Sequence, residues 1–173
     1  MTKEVMFDTN VFDKILDGDI PLEIIGKVAE LGYTYFITHI QKDEIDAINK
    51  PEKQERKKRL LELLEEFNKE EVSTESFVLG TSRLGKAKLT KTATESAVWG
   101  VSKWGEGKWT DEKTTLIEKL RKGNLKHTED ALIGETAIKN NFILVTHDER
   151  LREVVKEFGG SVFTIEEFKE MQK

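Results

Sequence analysis

The stretch that most constrains this chain is Val5, Met6, Phe7 and Asp8, near the amino end. Three successive apolar residues leave no polar face, so the pattern predicts a strand buried on both sides, as in parallel sheets. The run stops at an aspartate. A carboxylate at the end of a buried strand is costly unless it is paired or bound to a cation. In open parallel sheets, chemistry sits just beyond the carboxyl ends of strands. Asp8 is therefore the first candidate functional residue, although Asp also caps helices well.

The same grammar recurs along the chain. Val11, Phe12, Ile15 and Leu16 have helical spacing, stopped by Gly18. Pro21 opens a second expected helix, with Leu22, Ile25, Val28, Ala29 and Leu31 on its apolar side and Gly32 at its close. Tyr33 to Ile37 reads as a strand. Over Thr38 to Asn49 a helix sets Ile40, Glu44 and Ile48 along one face, so Glu44 interrupts an apolar stripe. Beyond Pro51, Glu52 to Lys69 predicts a charged helix with a stripe of Leu60, Leu61, Leu63, Leu64 and Phe67. Ser73 to Gly80, with Phe77, Val78 and Leu79, reads as a short strand or an extended lead-in.

In the last third, Thr128 is expected to cap a helix containing Asp130, Ala131, Leu132 and Ile133. Phe142 to Val145 is an apolar strand leading into Thr146, His147 and Asp148. A further helix stops at Gly159 and Gly160, Ser161 to Phe163 forms a last strand, and Thr164 with Glu167 makes a capping box. Alternating strands and helices predict a parallel α/β sheet with right-handed crossovers. The 173 residues suit a single domain.

The middle departs from this pattern. From about residue 80 to 112 periodicity fades, and Trp99, Trp104 and Trp109 occur with several lysines. This stretch reads as an insertion or lid, with Leu116, Ile117 and Leu120 resuming a helix. The net charge is −5, but residues 83 to 126 hold 11 basic against 5 acidic residues, leaving 17 against 28 elsewhere. Such unevenness steers ligands. Lys86, Lys88 and Lys91 with the three tryptophans are candidates for contacting nucleic acid: lysines meet phosphates, and tryptophans stack on unpaired bases. The competing reading, which the composition favours slightly, is that the tryptophans pin the segment onto the core. There is no cysteine, which suits a cytoplasmic setting and removes thiolate ligands. No apolar run approaches ~20 residues and no signal peptide is evident, so no membrane association is expected.

Asp8, Glu44, Asp130 and Asp148 thus share unusual positions. Carboxylates ~5 Å apart repel by ~3 kcal/mol per pair at an effective dielectric of ~20. Among nearby residues only Arg150, close to Asp148, offers a counter-charge in sequence. Oxygen ligands without cysteine suit Mg²⁺ or Mn²⁺. The strings MFDTNVF, ITHIQKDEI, TEDALIGETAIKNN and FILVTHDERL resemble, in order, the four motifs of PIN-domain nucleases, which include VapC-type toxins. The resemblance covers residues 5 to 50 and 128 to 168.

That resemblance implies a three-layer αβα sandwich with strand order 3-2-1-4-5, a Mg²⁺ or Mn²⁺ site, and hydrolysis of phosphodiester bonds, typically in RNA. By position it implies Asp8, Glu44, Asp130 and Asp148 as catalytic, with Asp8, Asp130 and Asp148 as metal ligands. Asn10 and Thr146 would fix carboxylate geometry. It brings with it a toxin role and an antitoxin or other inhibitor partner, although the segment from about 68 to 126 exceeds that of small toxin members. It leaves a homodimer open. His39, His127 and His147 read as surface residues. The rival reading is a non-catalytic nucleic-acid binder of the same fold. A receiver domain would need a lysine beyond the last strand, where none occurs until Lys169, and a haloacid-type phosphatase would need an acid where Asn10 stands.

Overall fold

A computed structural model describes residues 3–18, 32–67, 70–76, 78, 80–83, 85–87, 116–121 and 124–171. The second expected helix, at residues 21 to 31, lies outside this set, as do Lys88, Lys91, Trp99, Trp104 and Trp109.

The described elements alternate as expected. Strands β1 (Lys3–Phe7), β2 (Tyr33–Ile37), β3 (Glu70–Glu71), β4 (Ile143–Val145) and β5 (Ser161–Phe163) form one sheet. The helices are α1 (Thr9–Leu16), α2 (His39–Asp46), α3 (Gln54–Phe67), α4 (Leu116–Arg121), α5 (Thr128–Asn140), α6 (Glu149–Glu157) and α7 (Ile165–Glu170). Every strand pair is parallel, in the order β3-β2-β1-β4-β5. This is the expected α/β architecture, a parallel sheet flanked by helices.

β1 is central, and its side chains alternate between two cores. Val5 and Phe7 pack with Val11 and Phe12 of α1, Leu60 and Leu64 of α3, and Phe168 of α7. Met6 packs on the other face with Leu132 and Ile133 of α5 and Val154 of α6. Aromatic rings reinforce each side: Phe7 meets Phe168 edge-on at 6.1 Å, and Phe36 stacks on Phe142 at 4.6 Å.

α2 contributes to both cores, Ile40 to one and Ile45 to the other. It therefore lies across the carboxyl edge of the sheet. Thr38 caps it in a reciprocal box with Gln41, and Gln41 also donates to the Phe7 carbonyl at 3.1 Å. This helix ends at Asp46, short of the expected Asn49, and a 3-10 turn at Pro51–Lys53 leads into α3.

Two other expectations are corrected. The third strand is Glu70–Glu71, ahead of the expected Ser73 to Gly80, and pairs Phe36 with Glu70 and Ile37 with Glu71. Thr128 is the first residue of α5, not its cap: a 3-10 turn at Leu125–His127 precedes it, and the Thr128 hydroxyl donates to the Leu125 carbonyl at 2.6 Å. Among the described residues, no helix is long and apolar enough to cross a membrane.

Candidate active site

The sheet order puts β1 between β2, which follows it in sequence, and β4, which comes from the far end of the chain. The chain leaves β1 in opposite directions across this point, so the carboxyl ends of β1 and β4 open a crevice. The register pairs Phe7 with Val145, which makes Asp8 and Thr146 neighbours just beyond the strand ends.

Asp8 is buried and heavily bonded. Its Oδ1 accepts from the Thr9 amide at 2.8 Å, which serves α1 as a cap. Its Oδ2 accepts from Asn10 Nδ2 and from the Thr146 hydroxyl, both at 2.6 Å. Asn10 also donates to Thr146 Oγ1 at 3.1 Å and accepts from the His147 amide at 3.1 Å. Asn10 and Thr146 therefore both hydrogen-bond the Asp8 carboxylate. Burial nevertheless pushes the Asp8 carboxyl up to about 6; Thr146 opposes the rise, while the charges of Asp130 and Asp148 add to it.

Glu44 reaches the same crevice from α2. The Thr9 hydroxyl donates to its Oε2. Burial raises its carboxyl to about 8, helped by the charges of Asp8, Glu129 and Asp130 and opposed by the Thr9 bond. A groove of about 380 Å³ opens here, lined by the carboxylates of Asp8, Asp13, Glu44, Glu129 and Asp130, with Thr9, Asn10 and Ala47. Among the described residues, no lysine or arginine lines it.

The structure thus brings Asp8, Glu44 and Asp130 to one groove, from three separate elements. Asp148 stands apart from the lining: its Oδ1 accepts from the Leu151 amide at 2.7 Å and caps α6, and its own amide donates to Thr146 Oγ1 at 3.0 Å. It remains close enough for its charge to be felt at Asp8. Two lining acids already have basic partners at 2.7 Å, Asp13 with Arg56 and Asp130 with Arg150. Glu129 was not singled out in the sequence, yet it lines the groove, and partial burial with the charges of Asp130 and Asp43 raises its carboxyl. Its signal was adjacency to Asp130 in the first turn of α5.

Lys86 is the only described member of the proposed nucleic-acid contacts. It pairs with Glu71 at 2.9 Å and does not line the groove. Nearby, Arg83 forms an ion pair with Asp43 and its amide donates to His39 Nε2 at 3.2 Å. His39 is buried rather than at the surface, because Ile40 and the sheet edge draw the start of α2 inward; burial lowers its pKa. His127 and His147 are partly exposed.

An all-oxygen donor set with unbalanced negative charge matches the chemistry of a hard divalent cation. Among the described residues, no group of three or more His, Asp or Glu side chains is already arranged to hold one. The acids share a groove without forming a closed ligand set. No family model matches the chain, and no curated protein or solved structure shows significant similarity to it.

Proposed function

We propose that this chain is a Mg²⁺- or Mn²⁺-dependent nuclease of the PIN-domain kind, hydrolysing phosphodiester bonds in RNA. The observation that carries the reading is the groove at the β1–β4 crevice, where Asp8 and Glu44 are held with raised carboxyl pKa values and no basic side chain lines it among the described residues. Gathering such acids is costly for the fold. A function that needs them accounts for that cost.

Asp8 and Asp130 would hold the cation, with the charge of Asp148 felt at Asp8. When bound, a divalent ion supplies Lewis acidity to a phosphate oxygen and to the leaving oxygen of an in-line displacement. Asn10 and Thr146 keep the Asp8 carboxylate from rotating. Glu44, oriented by the Thr9 hydroxyl, is the group that positions the attacking water. A cytoplasmic setting accompanies this reading. The toxin–antitoxin role rests on the motif resemblance alone.

The test is cleavage of single-stranded RNA by purified protein with Mn²⁺. D8N and D130N are expected to lose activity by 10²-fold or more while remaining folded. Full activity in D130N would refute the assignment. The second reading, a non-catalytic binder, is favoured by the absence of a closed ligand set among the described residues. It predicts RNA retention without cleavage in any divalent metal.

A further inference from the structure

Arg150 occupies the first turn of α6. A cation there meets the positive end of the helix dipole, so the position is electrostatically unfavourable. Its side chain is nevertheless drawn inward. Nη2 lies 2.7 Å from Asp130 Oδ2, and Nη1 donates to the Leu120 carbonyl in α4 at 3.3 Å. The pair is only about a quarter exposed on each side, 27% for Arg150 and 25% for Asp130, so water screens it less than a surface pair. Asp130 is also the acid whose charge bears on Asp8, Glu44 and Glu129 together.

We propose that Arg150 is the internal counter-ion of this site, holding Asp130 in the metal-free protein and competing with a divalent cation for it. This rests on the metal-site reading above. The guanidinium quiets an acid whose charge reaches Asp8, Glu44 and Glu129, which helps the acids to coexist before a cation arrives. Binding of the cation then requires Asp130 to leave Nη2. The other guanidinium nitrogen stays on the Leu120 carbonyl and keeps Arg150 beside the site. Arg150 is thus a positioning residue: it acts through Asp130.

Competition predicts a specific pattern in Mn²⁺ affinity measured by calorimetry. R150Q is expected to bind Mn²⁺ about tenfold more tightly than wild type, and its metal-free form to melt at lower temperature, because among the described residues Asp130 then keeps only His127 Nδ1, 3.8 Å away, as a basic neighbour. Arg152, two residues further along α6, pairs with exposed Glu167 at 3.2 Å and supplies the control. R152Q removes the same charge and should change affinity less than twofold. Should R150Q fail to fold, R150K keeps the charge but loses the bridge to Leu120, and should tighten binding about threefold. Equal or weaker binding in these Arg150 variants, or equal tightening in R152Q, overturns the counter-ion role alone. An absence of Mn²⁺ binding in wild type and the Arg150 variants overturns the metal-site reading itself.

Discussion

Glu44 concentrates the electrostatic conflict of this molecule in one side chain. Burial and the charges around it lift its carboxyl from an ordinary 4.5 to about 8. The folded protein therefore binds this proton more tightly than the unfolded chain does. Its stabilising contribution is fully present below the unfolded value and is lost as pH rises through about 8. Asp8, raised to about 6, behaves likewise at lower pH. His39 and His147, lowered by burial, have the opposite sign, with stability gained as pH rises toward 6.5. The window from about pH 7 to 8.5 therefore isolates Glu44 from these others. Metal-free wild type is expected to melt at falling temperature across that window, whereas E44Q should be flat and melt higher at its upper end. Parallel slopes for the two proteins would remove Glu44 as the strained acid. The same variant is expected to lose cleavage by about 10²-fold, a trade of activity for stability.

Among elements, α2 decides whether Glu44 reaches the groove. Gln41 is fully buried and serves both ends of the arrangement: its Oε1 accepts from the Thr38 amide and hydroxyl at 2.9 and 2.7 Å, while its Nε2 donates to the Phe7 carbonyl. Q41L would leave these groups unpartnered inside the protein, at a cost of about 2 kcal/mol. The melting temperature should then fall by about 6 °C, with cleavage reduced because α2 loses its tie to β1. An unchanged melting point would show that the helix is held by Ile40 and Ile45 alone. The elements also mark how far sequence patterns reach. β1, β2, β4 and β5 were legible because wholly or mostly apolar segments have few alternatives. β3 was not: two glutamates forming an edge strand carry no hydrophobic pattern, and charge at an edge is what keeps it from pairing with other chains. The start of α5 was misjudged because the preceding 3-10 turn, not the Thr128 side chain, sets it up.

At the scale of the whole molecule, strand order converts distant positions into neighbours. Asp8 and Thr146 are 138 positions apart yet hydrogen-bonded, because β1 and β4 lie side by side. The approach of Asp8, Glu44 and Asp130 to one groove was legible once the sheet was inferred, since Asp8 ends a predictable strand and the other two sit on predictable helices. The sequence left Asp148 open between an α6 cap and the acidic site, and the pairing of Arg150 with Asp130 was not legible, because side-chain choice among nearby partners depends on packing that spacing does not encode. A groove that gathers five carboxylates should respond as a unit to a divalent cation. The most direct measurement is the melting temperature of wild type and D130N at pH 7.5, titrated with Mn²⁺. Ligand at about 100 times its dissociation constant adds about 2.7 kcal/mol, so wild type should gain about 5–10 °C, and D130N should gain little. A wild-type melting curve unchanged at millimolar Mn²⁺ would contradict the account.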